Sequence, residues 1–465
     1  MFIRNFYHQI IALTFAFLVL GLGSVVAQKV WTLEECVNYA LENNIQIKQS
    51  RLQTQTAEIN LLQSKFDFAP SANANASLGN SWGRNQSQSG LYIDKPTTTN
   101  SYGLNGKIDL FNGMRKWNSL RKSEIDFKTS EFRSQEIENN ISLTLTGAYL
   151  NILFSYEMLN VAKQQIEVTQ QQINRTSNLV EAGTLPKGDL LEIQAQGATE
   201  EGNLISAENS LALAYLDLKQ LLDLSSKENF EIDKPILELN QELNIIPSEQ
   251  VYANAVEIMP EIKAEEMSLL SSERSVKIAQ GYLYPSLSIN GGIRTNYYSS
   301  QQKVHRDAAG FPILDDAGDL TFIDMPYWEQ IDKNTGEYIT LNLSIPIFNG
   351  YTARSQVNRA KVQNINQDFQ LQLRKNELRK NIEQKYHDAI AAYKTYNANK
   401  ISVESLSESF KYTEEKFNIG MVNSVDYSIA KMKLTSAKST LLRAKYDYIF
   451  KTKILDFYMG IPLSL

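Results

Sequence analysis

Side chains that could hold a metal or act as a nucleophile are scarce in this chain of 465 residues. It has three histidines, His8, His305 and His387, and one cysteine, Cys36. A structural zinc site needs four cysteine or histidine ligands close together, and an intrachain disulfide needs two cysteines. No nucleophile motif precedes a predicted helix. We therefore predict that the protein is not an enzyme and that it has no cofactor and no metal.

The charge balance argues against nucleic acid as a partner. The chain has 46 lysines and arginines against 52 acidic residues, a net charge of −6, and its pI is near 5.5. A protein that binds phosphate backbones needs a basic surface. The mean hydropathy of −0.32 and only 11 prolines indicate long helices with hydrated outer faces rather than a bundle of membrane-spanning helices.

The first 27 residues differ from the rest of the chain. A positive charge at Arg4 precedes an apolar run from Ile10 to Leu22, and small residues follow at Val25 to Ala27. The apolar run is shorter than the roughly 20 residues that cross a bilayer. We predict a cleaved secretory signal peptide at residues 1–27, and therefore export from the cytoplasm.

The remaining chain is a tandem duplication. A shift of 215 residues aligns Pro70 with Pro285, and a shift of 237 residues aligns Phe111 with Phe348. The difference, 237 − 215 = 22 residues, must be an insertion between Pro285 and Phe348. Insertions are tolerated in surface loops. We therefore predict a long loop at about 299–335.

Each repeat ends in two long predicted helices. Apolar residues recur every seven positions, which is typical of a coiled-coil seam. In the first repeat the seam contains Leu145, Ile152, Leu159, Ile166, Ile173 and Val180, then Leu190, Leu204, Leu211 and Leu218. In the second it contains Ile382, Ala389, Tyr396, Val403, Phe410 and Phe417, then Tyr427, Leu434, Leu441, Tyr448 and Leu455. At 1.5 Å per residue, a helix over about 113–182 would be roughly 100 Å long.

The turns between the long helices have a distinct composition. Gly183 and Gly420 stand where a helix would end in a left-handed residue. Asp189 with Glu192 matches an N-cap and its reciprocal partner. Asp426 is the equivalent of Asp189, and two interpretations of these aspartates stay open: a helix cap, or a functional acid.

Four segments alternate strictly between apolar and polar residues, as half-buried strands do. They begin near Ala72, Tyr102, Leu287 and Ile339, and the last alternation continues to Ile347. Aromatic residues cluster beyond one end: Trp82, Tyr92, Tyr297, Tyr298, Tyr327 and Trp328. This pattern is typical of a transmembrane β-barrel wall, although a soluble sheet remains an alternative. Four strands cannot close a barrel, because about eight are the minimum, so several chains would have to combine their strands.

The two copies of one motif connect strand to helix: Leu110-Phe111-Asn112-Gly113 and Ile347-Phe348-Asn349-Gly350. With the signal peptide, the duplication and the glycine turns, they make the chain resemble the TolC-like outer-membrane efflux protein family. The resemblance implies a mainly α fold with a β-barrel part. Long antiparallel coiled-coil hairpins would form a periplasmic α-barrel, and a homotrimer would pool four transmembrane strands per chain into one barrel of 3 × 4 = 12 strands.

The resemblance also implies a division of the chain. After the signal peptide we expect a first repeat at 28–224 (strands about 70–111, long helices about 113–182 and 188–224), a linker or equatorial segment at 225–250, and a second repeat at 251–465 (strands about 285–348, long helices about 350–419 and 424–459).

The implied function is a passive channel-tunnel in the outer membrane, the exit duct of a tripartite efflux pump or a type I secretion system. Its partners would be a periplasmic adaptor protein, an inner-membrane transporter and outer-membrane lipid. The alternative is a periplasmic coiled-coil adaptor or structural rod. The resemblance places a gate at the periplasmic tip, with these residues: Gly183, Asp189, Glu192, Phe410, Phe417, Gly420 and Asp426. The inserted loop would lie outside the cell, as long loops do in porin-type barrels.

Overall fold

A computed structural model describes residues 30–86, 92–225, 230–235, 237 and 245–464. The chain forms two compact units. The first unit consists of Met1–Gln53, Glu131–Lys263 and Gln372–Leu465, and the second of Thr54–Ser130 and Ala264–Leu371. The signal peptide expected at 1–27 lies outside the described residues, as does part of the linker expected at 225–250.

The elements of the first repeat are β1 (Val30–Trp31), α1 (Leu33–Asn43), α2 (Ile45–Phe66), β2 (Ser71–Ser81), β3 (Arg84–Gln86), β4 (Tyr92–Asp94), β5 (Thr97–Asn112), α3 (Arg115–Glu181) and α4 (Lys187–Leu221). Strand β6 (Glu231–Ile232) follows. The second repeat contains α5 (Ser248–Ile258), α6 (Pro260–Gly281), β7 (Ser286–Tyr298), β8 (Gln302–Val304), β9 (Phe322–Asp324), α7 (Tyr327–Lys333), β10 (Gly336–Ser344), α8 (Thr352–Asn418) and α9 (Ser424–Tyr458).

The long helices have equal lengths in the two repeats. Helices α3 and α8 have 67 residues each, and α4 and α9 have 35 each. Their buried residues follow the heptads, for example Leu145 and Ile152 on α3 and Ile382 on α8. Within the described part of the chain, no helix is both long enough and apolar enough for a membrane span.

The first helix of each repeat is interrupted at an equivalent point. Helix α1 begins with the expected capping box, in which Thr32 and Glu35 exchange hydrogen bonds. At the break, the Asn44 side chain accepts hydrogen bonds from the backbone N–H groups of Gln46 and Ile47. These contacts satisfy donors that the start of α2 would otherwise leave free. In the second repeat, Pro260 begins α6 directly after the break.

The core of the first unit gathers around the middle of α3. Strands β1 and β6 pair in parallel, with Trp31 opposite Ile232, and the Tyr149 hydroxyl donates to the Asp233 carbonyl at 2.7 Å. Cys36 is fully buried. Because the short strand β6 is held by both a strand and a helix, this part of the expected linker is a packed segment.

An arginine joins three helices of the first unit. The Arg374 guanidinium on α8 contacts Glu136 on α3 and, at 3.2 Å, Glu261 on α6. Burial raises the pKa of Glu261, and the neighbouring Arg374 opposes that rise. The cation therefore holds together two carboxylates that would repel each other without it.

The second unit contains a four-stranded antiparallel sheet in the order β10-β7-β5-β2. The register places Leu104 opposite Ile293, and Gly291 opposite Ile339. One face, the apolar sheet face, therefore holds Ala74, Leu78, Tyr102, Leu104, Ile108, Ile289, Ile293, Ile339 and Leu341. The opposite face, the polar sheet face, holds Asn75, Asn105, Lys107, Asn290, Arg294, Tyr338 and Asn342.

One sequence-based expectation for this region is wrong. Strand β10 ends at Ser344 and does not continue to Ile347, because Pro346 has no backbone N–H to donate to a ladder. The insertion, predicted as a long loop, has short elements of its own. It contains the hairpin of β8 and β9 and the short helix α7.

Each strand-to-helix junction has two consecutive residues with positive φ. These are Gly113 and Met114 in the first repeat, at φ 67° and 62°, and Gly350 and Tyr351 in the second, at 61° and 66°. A Cβ atom on Gly113 would lie 2.2 Å from the Gly281 carbonyl oxygen. The first junction therefore requires glycine for space as well as for conformation.

Candidate functional site

The candidate site consists of the first hairpin turn (residues 183–189), the second hairpin turn (residues 420–426) and the helix residues that support them. Both glycines are left-handed, Gly183 at φ 75° and Gly420 at φ 76°. The N–H of Thr184 donates to Leu179, and that of Met421 to Lys416, at 3.0 and 2.9 Å. Both turns thus end their helix with the same Schellman motif.

The capping interpretation of the two aspartates is wrong. Pro186 occupies the N-cap position of α4 and makes no side-chain capping bond, and Asn423 caps α9 by accepting from the Asp426 N–H at 2.8 Å. Asp189 and Asp426 are each the third residue of their helix. Both carboxylates therefore lie where the helix macrodipole favours negative charge, and neither is needed as a cap.

The two turns are joined through one of these aspartates. The buried Ser424 hydroxyl donates to Asp189 Oδ1 at 2.7 Å. On the other side, the Arg175 guanidinium of α3 donates to the side chain and the backbone carbonyl of Asn418, at the end of α8. The sequence-predicted Asp189 thus positions the second helical hairpin against the first.

The aromatic residues of the predicted gate pack on a tyrosine. Tyr427 is buried, and its ring lies 4.7 Å from that of Phe417 and 5.5 Å from that of Phe410. Burial raises the pKa of Tyr427 to about 12. Phe410 and Phe417 are half-buried; the Phe417 ring is stacked on Tyr427 and the Phe410 ring is tilted against it.

The two turns differ in what they expose. The second exposes a set of apolar side chains: Ile419, Met421, Val425 and Ile429. At the equivalent places the first has Ala182, Thr184, Gly188 and Glu192, all of them exposed. The Asp426 side chain is exposed within this apolar set. The second turn therefore combines one acid with an apolar surface, whereas the first turn is mainly polar.

A buried ion pair lies further along the same helices. Lys431 of α9 and Glu200 of α4 are 3.3 Å apart, and each side chain is only 5% exposed. Thr169 of α3 contacts both, and Gln165 and Gln196 donate to Glu200. Burial lowers the pKa of Lys431, and the Glu200 charge opposes that effect. Because every charged atom has a partner, the pair connects three helices without an isolated buried charge.

Sequence reasoning missed this pair, although a signal was present. Lys431 follows the seam residue Tyr427 by four positions, where a coiled coil expects an apolar side chain. Gly197 occupies the seam position between Leu190 and Leu204, and it is buried. A charge and a glycine in a heptad seam together indicate a local departure from coiled-coil packing.

A groove lies beside the ion pair, between α3, α4 and α9. Its lining is mostly apolar and small polar side chains, among them Met158, Ala162, Glu200, Asn203, Met432 and Ser436. Among the described residues, no group of three or more histidine, cysteine or acidic side chains is arranged to hold a metal ion.

Comparison with known proteins identifies the family. The outer membrane efflux protein family matches residues 36–223 and 251–460. Both repeats are included, and most of the chain is covered. The chain belongs to this family. The prediction of a TolC-like outer-membrane efflux protein is therefore confirmed.

Individual relatives agree. The efflux protein is 25% identical over 357 residues to the outer membrane protein TolC of Escherichia coli, a match that covers 75% of this chain and 66% of that protein, just under two thirds. It is 22% identical to the outer membrane protein TolC of Vibrio cholerae over 95% of this chain and 93% of that one. The crystal structure of the Campylobacter jejuni CmeC outer membrane channel is similar with a TM-score of 0.72 and 18% identity, over 92% and 85% of the two chains. This likeness shows the fold.

Proposed function

We propose that three copies of this efflux protein combine their four-stranded sheets into one closed barrel in the outer membrane, continued by a tunnel of long helices in the periplasm. The observation that carries the proposal is the sheet itself. Its outer strands β2 and β10 each pair on one side only within the described chain. Unpaired backbone groups are costly in lipid, and closure with neighbouring chains removes them.

The side chains of the sheet support this assembly. The apolar sheet face exposes Leu78, Leu104, Ile339 and Leu341, which are 53–85% accessible in the single chain. The polar sheet face exposes Asn75 and Lys107. A wall with one apolar and one polar surface suits lipid outside and water inside. A periplasmic adaptor or rod, the alternative function, would have no use for such a sheet.

The channel is proposed to act as a passive exit duct. Solutes or polypeptides would be delivered by an inner-membrane transporter and a periplasmic adaptor protein, in a tripartite efflux pump or a type I secretion system. The groove between α3, α4 and α9 would offer the adaptor a lining of apolar and small polar side chains. A water-filled tube needs no catalytic group, and its selectivity depends on its width and its charges.

The two hairpin turns are proposed to form the gate at the periplasmic end. Gly183 and Gly420 let the helices reverse, and Asp189 ties the two hairpins together through Ser424. Glu192 and Asp426 supply exposed acids. Phe410 and Phe417 pack on Tyr427 and so keep the apolar surface of the second turn in place.

Cysteine cross-linking tests the assembly. Ala76→Cys on β2 is combined in turn with Ile339→Cys, Leu341→Cys or Leu343→Cys on β10, and the single native cysteine is buried. At least one pair should form a disulfide between chains and give a covalent trimer in denaturing gels. Asn75→Cys with Leu341→Cys, on opposite faces, is the control and should not cross-link. A chain that stays monomeric in mild detergent and never cross-links would refute the proposal.

Conductance tests the gate. Phe417→Ala removes a ring that packs on Tyr427, so the basal conductance of reconstituted channels should rise. Val180→Ala, at the equivalent position of the first repeat, is the matched control and should leave the conductance close to that of the unmodified protein. Equal effects of the two substitutions would show that the second turn has no special part in closure.

A further inference from the structure

The helix α7 in the insertion packs on one particular face of the sheet. The hydroxyl groups of Tyr327 and Tyr102 are 2.8 Å apart, and the Asn100 side chain donates to Tyr327 at 3.4 Å. The rings of Tyr327 and Tyr297 have centroids 4.7 Å apart. The Thr295 hydroxyl donates to the Ile331 carbonyl at 2.6 Å. Four sheet side chains therefore contact this helix.

All four belong to the apolar sheet face. Tyr102 is paired with Thr295, and these two residues lie two positions from Leu104 and Ile293 along their strands. Asn100 is paired with Tyr297, two positions further along. Side chains two residues apart point to the same side of a strand, and so do directly paired residues. Helix α7 thus lies on the side of the sheet that carries the exposed leucines and isoleucines. It does not lie on the polar side.

The position of α7 is fixed by buried polar contacts. Gln330 is 1% exposed. Its amide accepts from the Tyr298 N–H and donates to the carbonyls of Tyr298 and Met325, at 2.9, 3.1 and 2.8 Å. The Asn334 side chain donates to the Asn296 carbonyl at 2.7 Å. A buried amide with three backbone partners specifies one arrangement, because any other leaves it unsatisfied.

The outward side of α7 has the composition of a membrane interface. Trp328 is 78% exposed and packs edge-on against Tyr327, with centroids 5.1 Å apart. Glu329 pairs with Lys303 and, at 2.7 Å, with Lys333, so the charges beside the indole are paired. Tryptophan and tyrosine are enriched at membrane boundaries, where one end of the ring system is apolar and the other wet.

We propose that α7 is an interfacial anchor that contacts the lipid of the outer leaflet, with the Trp328 ring at the boundary between acyl chains and headgroups. The anchor holds the insertion against the outside of the barrel wall, so the polar sheet face stays open to the channel. Ile293 and Ile339, on the same side of the sheet as α7, are also exposed. This inference rests on the proposed membrane position of the sheet.

Fluorescence quenching tests the anchor in the full-length protein. Trp31, Trp82 and Trp117 are replaced by phenylalanine, which leaves Trp328 as the sole tryptophan of the four in the chain. The protein is reconstituted in phosphatidylcholine vesicles whose acyl chains carry bromine either near the headgroup or near the chain end. Bromine near the headgroup should quench Trp328 more strongly than bromine near the chain end. Quenching by aqueous iodide alone would overturn the anchor.

Spin labels give a second measurement, in which Trp31, Trp82 and Trp117 are not replaced. Nitroxides are attached at Trp328→Cys, Ile339→Cys and Tyr338→Cys, since the native Cys36 is buried. The ratio of accessibility to oxygen over accessibility to a water-soluble nickel complex should be highest at position 339, intermediate at 328 and lowest at 338.

The two control positions separate failure of the anchor from failure of the proposed function. A label at 339 in lipid and one at 328 in water would overturn the anchor and leave the membrane-embedded sheet intact. A label at 339 in water would overturn the membrane position of the sheet itself. Spin–spin coupling between labels at 328 of different chains would show that α7 contacts a second copy, which also overturns the lipid contact.

Discussion

The two hairpin turns share a backbone and differ in their side chains. Gly183 and Gly420 close the same Schellman motif, and Asp189 and Asp426 occupy the same third helical position. Yet Asp189 is bonded by Ser424, whereas Asp426 is exposed among apolar side chains. Duplication thus preserved the geometry of the reversal, while substitutions gave one copy a structural contact and the other an exposed surface.

The largest expected effect is a loss of stability on breaking the buried ion pair. The equivalent positions of the two repeats hold no such pair. Positions equivalent to Lys431 and Glu200 hold Gln194 and Ala437. Lys431→Met should lower the free energy of unfolding by about 3–5 kcal/mol, because Glu200 is left as an unpaired buried charge. Thermal unfolding of the purified protein in detergent measures the loss.

Two further variants control this prediction. Gln194→Met changes the exposed equivalent position and should shift stability by no more than about 0.5 kcal/mol. Lys431→Met combined with Glu200→Leu removes both charges and should recover most of the loss. If Lys431→Met alone were as stable as the unmodified protein, the ion pair would make no contribution to the free energy of unfolding.

The next largest effect is a loss of stability at alkaline pH that depends on Tyr427. The equivalent residue of the first repeat is Leu190. The pKa of Tyr427 is raised from 10.0 to about 12. The fold therefore favours the neutral ring: this contribution is complete below pH 10 and is lost as the pH rises through about 12. Two pKa units correspond to about 2.7 kcal/mol. Tyr427→Phe should lose less stability than the unmodified protein between pH 10 and 12, measured by denaturant unfolding. Identical losses would contradict the assignment.

A smaller effect distinguishes the two helix starts. Asn423→Ala removes the side-chain cap of α9 and should cost about 1 kcal/mol, seen as faster hydrogen exchange of amides in the first turn of that helix. Asn423→Asp keeps an acceptor and should change the exchange little. Helix α4 starts at Pro186 without such a bond, so equal protection of the two helix starts in the unmodified protein would contradict the difference.

The smallest effect concerns ion selectivity. Asp426→Asn should reduce the cation preference of reconstituted channels, measured as the reversal potential across a salt gradient, because in the proposed trimer three exposed carboxylates near the gate would attract cations. Asp189→Asn should alter the preference less, since its carboxylate is held by Ser424. High salt should reduce both effects through screening. A larger change from Asp189→Asn would exchange the roles assigned to the two turns.

The parts of the fold that sequence reasoning predicted are those with local or periodic causes. Heptads containing Leu145 and Ile152 indicated the long helices because a buried seam repeats at a fixed spacing. Gly183 indicated the turn because a left-handed residue favours glycine. The alternation around Leu104 indicated a strand with one apolar face, although it could not show that Pro346 ends the last strand.

The parts that could not be predicted depend on contacts between distant residues. Glu200 and Lys431 are 231 positions apart, and the sequence around either residue does not indicate the other as its partner. The prediction of a cap at Asp189 was wrong because an acidic residue near a helix start is favourable both at the N-cap and at the third helical position. Only the backbone conformation distinguishes the two positions. Helix α7 has seven residues, too few for a periodic signal, and the contacts of Tyr327 place it.

The free edges of the sheet also bear on biogenesis. Within the described chain, the outer strands of 11 and 9 residues pair on one side only. Before the proposed trimer assembles, their open backbone would be a template for aggregation with other polypeptides. Strand β2 reads SANANASLGNS, and alanine, asparagine, serine and glycine are poor strand formers. That edge is therefore a weak template for wrong partners, and the chain can remain unassembled in transit without a high risk of misassociation.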